Sequence, residues 1–470
     1  MRIFTLIMAF SLFATANSYA SDQNIELLDS NLIAKLHLAD VAKDGQMVGA
    51  YVVSFRPQKG QSINKVTFLL NPGLEFIKAD AGRKRLAATS KLTAVTGMDL
   101  LELNTVDIDL GKTLIGTDRI DIAIHYRGFL EELSWTGLAG VKETLNPDFT
   151  MLRAQGFAYP VFAEANLSSI KSAWAKKGFL QFANITLPGA NEIIGSLGVA
   201  EKTLVDEKTK VSLKSNRPTS LMALAIAPYQ SLSSGPVTAS FLKSSEAGPV
   251  QLLGLVSTQV ATLERLLGAP TSGNTLNIIN VPEGYGSSAA TGAIFVETGF
   301  FEAPSLTPQI KKAIGDLWKS SNAGKAGNWS NGLDRVTDLL ISRPDMLAEF
   351  QMVLLSTNKQ LFASNKRLSK TALEDYVIEG LYAEVDEVSA LAFTALHDIL
   401  GHDRFFAMVR GLRAELNNGY ADMATVAEFL QKNLKNKKAR KFAKNWFSGK
   451  KAGKEINKAD SFSRLVKAYK

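Results

Sequence analysis

The sequence predicts a multidomain α+β protein in which an antiparallel β domain comes first and a mostly helical part comes last. Up to about residue 215, apolar and polar residues alternate in short stretches such as Lys65–Leu70 and Ile120–Tyr126, with Gly, Pro and Asn between them. From Pro308 onward the apolar residues recur with helical spacing. Between these parts, helical spacing over Gln251–Leu267 and a short buried strand over Thr275–Val281 predict a small mixed sheet.

The first 20 residues have the pattern of a secretory signal. Arg2 is followed by the apolar run Ile3–Ala16 and by small residues at Ser18 and Ala20. The run is short for a bilayer span, and no later segment reaches 18 apolar residues, so no transmembrane segment is expected. The alternative for this run is a buried N-terminal strand or helix. We expect export, with cleavage near Ala20 and a periplasmic or secreted mature protein.

Composition divides the remaining chain into three parts, predicted at 21–215, 216–430 and 431–470. The first reads as the β domain, the second as the mixed sheet with most of the helices, and the third as a basic helical tail. Eight candidate helices follow from the apolar spacing: 308–320, 331–341, 345–357, 370–381, 386–400, 402–416, 423–433 and 437–447. The Gly- and Asn-rich stretch Ser321–Asn328 reads as a loop.

Positive charge is concentrated at the C-terminus. Residues 431–470 hold 14 Lys or Arg against Glu455 and Asp460, a net charge of +12, whereas the chain from 21 to 430 carries about −5. Seven of these basic residues surround Phe442, Trp446 and Phe447; they are Lys432, Lys435, Lys437, Lys438, Arg440, Lys441 and Lys444. On a helix this run can contact an anionic surface, either lipid headgroups or an acidic partner. The alternative is a solvated helical face, and export argues against nucleic acid as the partner.

The residues that usually hold zinc are scarce. The chain has no Cys, which excludes thiolate metal sites and thiol catalysis. Its four His are His37, His125, His397 and His402, and none has a partner at metal-ligand spacing. The pair 397 and 402 is five residues apart, which favours surface or hydrogen-bonded roles.

Several short segments occur in a recognisable order. They are His125–Gly128 at the end of a strand, Ala158–Pro160, Leu263–Gly268, Ala390–Phe406 and Phe442–Trp446. Their order and spacing resemble the aminopeptidase N family of gluzincin zinc metallopeptidases. The resemblance implies an N-terminal β saddle domain followed by a thermolysin-like mixed sheet and a helical domain.

The resemblance also implies a zinc site, which this sequence does not reproduce. The family places two His and a general-base Glu in H-E-x-x-H on one helix, and a third ligand, Glu, on the next helix. Aligning Trp318 with the family's Trp puts Lys312 and Asp316 at the His positions and Ala313 at the general base. Asn331 then falls near the third ligand, with a spacing about four residues shorter than the family's.

Two further family positions are also altered. Ala289, in the segment Gly286–Ala290, stands where a G-x-M-E-N loop supplies the Glu that holds the substrate amine. Asp386 falls near the Tyr that stabilises the developing oxyanion. Ser287 and Ser288 border the same loop and do not form a G-x-S-x-G nucleophile motif. Zinc and any other cofactor are therefore predicted to be absent, and the chain resembles a degenerate family member.

Lys312 and Asp316 have an interpretation of their own. At i and i+4 they can form an ion pair, and the lysine can stand near the position of the lost cation. The alternative is that both side chains line a wet cleft. Together with Asn331, Ser287 and Ser288, they are the candidates for a binding cleft between the β and helical domains.

The function expected from these residues is non-catalytic binding of a peptide or protein partner in the interdomain cleft. The alternative is an active metallopeptidase with a non-standard site.

Overall fold

A computed structural model describes residues 25–470 except 42–43, 59, 99, 134–141, 143, 176–177, 190, 217, 243–246, 272, 319–328, 377–378, 380 and 417–421. The secretory signal predicted over 1–20 and the loop predicted over Ser321–Asn328 lie outside the described residues. No described helix combines the length with the apolar character that a bilayer crossing needs.

The N-terminal part is built from β-sheets. Its strands are β1 (Ile25–His37), β2 (Gln46–Pro57), β3 (Ser62–Leu70), β4 (Leu74–Ala81), β5 (Lys84–Arg85), β6 (Ala87–Ala94), β7 (Glu102–Ile115), β8 (Ile120–Gly128), β9 (Thr150–Arg153), β10 (Leu180–Pro188), β11 (Glu192–Gly195), β12 (Gly198–Val205), β13 (Lys208–Lys214) and β14 (Ala223–Ala227). A short helix, α1 (Leu167–Ala175), precedes β10. The predicted β domain is thus confirmed.

These strands form an eight-stranded sheet and two three-stranded sheets. The large sheet has the order β12-β13-β10-β1-β2-β8-β4-β5, and the small ones are β3-β7-β6 and β11-β14-β9. The domain predicted as antiparallel contains one parallel pair: β1 and β10 run in the same direction, with Asp29 opposite Leu180. More than 140 residues separate these partners, so the chain has ample length to return in the same direction.

Alternation of side chains explains how the large sheet folds over its core. In β8, Ile120, Ile122, Ile124 and Tyr126 are buried, whereas the residues between them are exposed or half-buried. A strand places successive side chains on opposite faces, so one face of the sheet is apolar. Burial of each large apolar side chain stabilises the fold by roughly 1.5–3 kcal/mol.

A five-stranded mixed sheet follows, as predicted. Its strands are β15 (Gln230–Ser234), β16 (Val237–Phe241), β17 (Leu276–Val281), β18 (Ser288–Ala290) and β19 (Ala293–Glu297). Their order is β15-β16-β17-β19-β18; the three central strands are parallel, and β15 and β18 are antiparallel edges. The helix α2 (Ala247–Leu267) connects β16 to β17 and buries Leu252, Val256 and Val260.

The rest of the described chain is mostly helical. Its helices are α3 (Thr298–Glu302), α4 (Pro308–Gly315), α5 (Trp329–Ser342), α6 (Leu347–Ser364), α7 (Tyr382–Leu400), α8 (His402–Leu416), α9 (Met423–Asn433), α10 (Lys437–Ala443), α11 (Ala452–Lys458) and α12 (Phe462–Val466). The helix predicted over 370–381 is not found in the described part of that range. Short 3₁₀ turns at Leu368–Lys370 and Leu373–Asp375 occupy this region.

The boundary predicted at 215/216 does not match the sheet pairing. β14 lies beyond that boundary, yet it pairs with β11 and β9 of the N-terminal part. Its alternate side chains, Leu224 and Ile226, belong to the core of the β domain. The other face of β14 carries Ala223, Ala225 and Ala227, which pack towards the mixed sheet.

Residues 431–470, which follow the boundary predicted at 430/431, do not pack as a separate domain. Phe442, Trp446 and Phe447 are fully buried in the same apolar core as the preceding helices. Trp446 Nε1 donates to Glu455 Oε2 at 2.7 Å, and the Tyr469 hydroxyl donates to Glu455 Oε1 at 2.8 Å. The basic segment is therefore an integral layer of the helical part, because its aromatic side chains complete that core.

We expect Phe442→Ala to destabilise the helical part by about 3–5 kcal/mol, because the ring is buried and stacks on Trp446 at 4.8 Å between ring centroids. The matched control is Lys441→Ala on the same helix, which is exposed and should change stability by less than about 0.5 kcal/mol. Urea unfolding of both variants measures the difference. Equal stability of the two variants would show that this segment is not part of the core.

Candidate functional site

The helix α4 carries the two most telling candidate residues. Thr307 caps it by accepting a hydrogen bond from Ile310 N at 3.3 Å, and Pro308 occupies its first turn. Helical spacing turns Ile310, Ala313 and Ile314 into the core and leaves Lys312 exposed. Ala313 therefore contributes a buried methyl group at the predicted general-base position, and Lys312 projects a charge into solvent.

The helix ends earlier than predicted. α4 stops at Gly315, and Asp316 begins a 3₁₀ turn through Trp318. Trp318 fixes this turn, since its Nε1 donates to the Gly268 carbonyl at 2.7 Å and its ring is buried. Asp316 is half-buried. The continuous helix predicted over 308–320 is thus wrong in its last part, and the Lys312–Asp316 ion pair stays a prediction.

The loop before β18 is held by a carboxylate at the end of β19. Glu297 Oε1 accepts from Gly284 N at 2.8 Å and from Gly286 N at 3.0 Å. Both glycines have positive φ, of 88° and 71°, which side-chain-bearing residues rarely adopt. Two backbone donors of this loop are therefore already used within the protein.

Ser287, Ser288 and Ala289 follow this loop at the edge of the mixed sheet. Ser287 and Ala289 are exposed, and Ser288 is half-buried. Among the described strands, β18 pairs with β19 alone and so forms an edge of the mixed sheet. Ala289 pairs with Ile294 of that strand. The position predicted to have lost the amine-binding Glu is accessible.

Asp386 lies in an ionic group between α5 and α7. Arg335 Nη1 is 2.7 Å from Glu387 Oε1 and 3.6 Å from Asp386 Oδ1. Burial raises the pKa of the Asp386 carboxyl to about 6; the Arg335 charge lowers it and the Glu387 charge raises it further. A carboxyl of this kind exchanges a proton near neutral pH, which the Tyr of the family's pattern does not.

Gly332 brings Asn331 and Asp386 into the same region. A Cβ built on Gly332 would lie 2.6 Å from Ala390 N and 2.8 Å from the Asp386 carbonyl oxygen. Only glycine therefore lets α5 and α7 approach so closely. Asn331, one residue earlier, is exposed. Because α4 contacts both β19 and α5, the candidate residues lie on adjacent elements.

Two cavities among the described residues lie away from the candidate residues. A groove of about 330 Å³ in the β domain is lined by Glu75, Phe76, Phe129 and Glu131 among others. A crevice of about 30 Å³ lies between the turn Gly195–Gly198 and the stretch around Asn274 and Asn277. None of the predicted cleft residues lines either cavity, so the peptide-binding cleft stays a prediction.

The candidate residues do not fit the zinc ion that the family resemblance implies. Zinc in proteins takes Cys, His, Asp or Glu ligands, and a protonated Lys312 offers no lone pair. Among the described residues, no three His, Asp or Glu side chains are grouped as metal ligands. Four residues are aligned with the family's zinc ligands and general base: Lys312, Ala313, Asp316 and Asn331. Of these four, only Asp316 is a common zinc ligand.

A histidine pair at the junction of α7 and α8 has one buried member, which the sequence reasoning did not foresee. His397 is 9% exposed, and neither of its ring nitrogens has a hydrogen-bond partner among the described residues. His402 is exposed. Gly401 separates α7 from α8, which brings the His397 and His402 rings to 5.8 Å between centroids. The expectation of a surface or hydrogen-bonded role is wrong for His397. Burial lowers the pKa of His397, and the neighbouring His402 adds to this effect.

Tyr285 and Arg153 were also missed, because they meet only through the tertiary structure. The buried Arg153 donates from Nη2 to the Tyr285 carbonyl at 3.0 Å. The Tyr285 ring packs edge-on against Phe149 at 4.5 Å, and its hydroxyl lies 3.2 Å from that of Thr144. These contacts attach the loop before β18 to the β domain. The sequence contains no local pattern that pairs residues 132 positions apart.

Solved structures share this arrangement. The M1 zinc metallopeptidase from Deinococcus radiodurans matches over 92% of this chain and 95% of its own, at 12% identity and a TM-score of 0.51. A mutant of that enzyme bound to a Tyr-Ser-Ala substrate gives the same coverage and TM-score at 13% identity. Native yeast LTA4 hydrolase matches over 92% of this chain and 70% of its own, at 12% identity and a TM-score of 0.51.

These likenesses establish the fold. The chain has the two-part α+β architecture of the M1 zinc metallopeptidases, with a large β domain before a helical part. No protein-family model matches the sequence, and no curated protein matches it significantly.

We expect Gly332→Ala to destabilise the protein by about 1–3 kcal/mol, because the added methyl group clashes with α7. The matched control is Gly254→Ala in the exposed middle of α2, where nothing lies within 4 Å of the new Cβ. That change should stabilise by up to about 1 kcal/mol through helix propensity. Thermal and urea unfolding compare the two; a stabilised Gly332→Ala variant would contradict the close approach of α5 and α7.

The raised pKa of Asp386 predicts a stability change with pH. This carboxyl titrates near 3.8 when unfolded and near 6 when folded, so its contribution is present below pH 4 and is lost as the pH rises through 6. Asp386→Asn lacks this loss and should gain roughly 2–3 kcal/mol relative to the parent between pH 4 and pH 7. Urea unfolding across this range measures it.

The control for this pH series is Asp345→Asn, which changes an exposed carboxyl in the turn before α6. Its stability profile should run parallel to that of the parent. A parallel profile for Asp386→Asn would instead show that burial does not perturb Asp386.

Proposed function

We propose that this protein is an exported, non-catalytic protein with the M1 metallopeptidase fold, and that it binds a peptide or protein segment in the cleft between its β and helical parts. The observation that carries the proposal is that α4 holds side chains that cannot bind zinc or accept a proton at the positions aligned with a metal ligand and the general base. Lys312 is exposed and Ala313 is buried at positions where this class needs a metal ligand and a general base. A buried methyl group cannot accept a proton from water.

The edge strand β18 supports peptide binding. An edge strand presents backbone groups that can pair with an extended chain. Here Ser287 and Ala289 are exposed along that edge, and small side chains leave room for another backbone to approach. The M1 metallopeptidase mutant named above was solved with the peptide Tyr-Ser-Ala, so a chain of this fold can hold such a ligand.

The lysine-rich segment 431–470 supports a second partner. We also propose that it binds an anionic partner, because its lysines are exposed while its aromatic side chains are buried. This proposal is independent of whether the cleft is occupied.

Metal analysis and a peptidase assay on the purified full chain test the loss of catalysis. We expect far less than one zinc per chain and no hydrolysis of aminoacyl nitroanilides, before or after incubation with zinc. Stoichiometric zinc together with hydrolysis that a chelator abolishes would establish the alternative, an active metallopeptidase with a non-standard site.

Calorimetric titration with Tyr-Ser-Ala tests the binding edge separately. The variant Ala289→Glu restores a carboxylate at an exposed position and should strengthen binding of the free-amine peptide about tenfold, since a charge-assisted hydrogen bond contributes about 1.5–3 kcal/mol. The N-acetylated peptide should show no gain. The matched control is Gln230→Glu, which places a carboxylate on β15 at the opposite edge of the same sheet. Absence of binding by both parent and Ala289→Glu would exclude this edge as the peptide site.

A further inference from the structure

We infer that the anionic partner of the segment 431–470 is a lipid bilayer, bound by charge alone and without insertion of side chains. The inference rests on the anionic-partner proposal and names the partner. Ten lysines of the segment are proposed to make the contact and are together called the lysine surface below: Lys432, Lys435, Lys437, Lys441, Lys444, Lys450, Lys451, Lys454, Lys458 and Lys467. All ten side chains are exposed.

Helix geometry arranges six of these lysines in two rows. Lys437, Lys441 and Lys444 follow one another at i, i+4 and i+7 along α10 and the turn after it. The second row consists of Lys451, Lys454 and Lys458, which occupy positions i, i+3 and i+7 of α11 and the residue before it.

The opposite faces of both helices are fixed in the core. Phe442 and Trp446 behind the first row, and Ile456 behind the second, have no exposed surface. The segment cannot turn its lysines inward without breaking that core. The charge is therefore a permanent feature of a rigid surface.

The lysine surface is not neutralised from within the protein. Both acidic residues of the segment are used elsewhere: Asp460 pairs with Arg464, and Glu455 accepts from Trp446 and Tyr469. Between described residues, the ion pairs of this segment are that of Arg464 and one between Lys470 and Asp398. The ten lysines form no ion pair with any described carboxylate, so their attraction for an external anion is undiminished.

The kind of basic residue favours a diffuse anionic surface. Arg, with its planar fork, binds single phosphates or carboxylates in fixed geometry, whereas Lys acts as a mobile point charge. The two arginines of the segment are occupied, since Arg440 donates to the Leu434 carbonyl and Arg464 pairs with Asp460. The cationic side chains of the segment without a hydrogen bond or ion pair to a described residue are therefore all lysines, which suit headgroups that move laterally.

The absence of exposed apolar groups argues against a folded protein partner. Among residues 431–470, all of which are described, no large hydrophobic side chain is exposed. Protein interfaces concentrate binding energy in aromatic and arginine anchors and are poor in lysine. Single-stranded nucleic acid needs aromatic platforms for its bases, and here the aromatic rings are buried. A charged bilayer needs neither feature.

Vesicle co-sedimentation of the full chain tests the inference. We expect binding to vesicles of phosphatidylglycerol and phosphatidylcholine in equal parts, and none to phosphatidylcholine alone. Replacing the two rows by Gln (Lys437, Lys441, Lys444, Lys451, Lys454 and Lys458) should weaken binding at least about 100-fold. Because screening acts on exposed charges, about 1 M salt should release the parent protein.

The matched control removes six exposed lysines from the β domain, also by replacement with Gln: Lys35, Lys84, Lys91, Lys112, Lys208 and Lys210. It lowers the net charge equally and should retain binding within about threefold. Circular dichroism and urea unfolding confirm that both variants are folded. Tryptophan fluorescence should not shift to shorter wavelength on binding, since Trp446 is buried beforehand.

Three outcomes would overturn the inference. Equal weakening by both sets of substitutions would show that net charge, and not the lysine surface, directs binding. Binding to heparin or DNA without binding to anionic vesicles would replace the bilayer by a soluble polyanion and leave the anionic-partner proposal standing. Failure to bind vesicles, heparin and DNA alike would contradict both the bilayer inference and the anionic-partner proposal.

Discussion

The arrangement of the two halves of this protein depends on one apolar contact between sheets. Phe149 and Met151 of the β domain, with the alanines of β14, pack against Ile279, Val281 and Phe295 of the mixed sheet. Arg153 adds a buried hydrogen bond across this contact to the Tyr285 carbonyl. Because Tyr285 begins the loop that leads to β18, the same contact positions the sheet edge at the candidate cleft. The loop before β18 is thus held by the interdomain packing as well as by Glu297 of the mixed sheet.

The α5–α7 contact is the second constraint on the site. Gly332 permits the close approach, and that approach buries the carboxyl of Asp386 beside Arg335 and Glu387. A buried carboxyl is tolerated here because Arg335 offsets part of the cost of removing its charge from water. The raised pKa of Asp386 is therefore a consequence of the packing of α5 against α7.

The residues predicted to stand at the family's catalytic positions each match the exposure of their place in the structure. Exposed positions hold Lys312, Asn331 and Ala289, and the buried position holds Ala313, so each residue suits the solvent environment of its place. A polar group at position 313 would need a partner in the core. Each of these residues is therefore compatible with its place in the fold.

The sequence by itself determined the α+β class, the order of the sheets and helices, and the charge of the C-terminal segment, because these follow from local periodicity and composition. It also predicted that Lys312, Ala313, Ala289 and Asp386 depart from the pattern of the family that it resembles. Only the tertiary structure decided that β1 and β10 run parallel, that His397 is buried beside His402, and that residues 431–470 belong to the helical core. The physical reason is range: each of these facts depends on which distant surfaces meet, and no local pattern of residues specifies that.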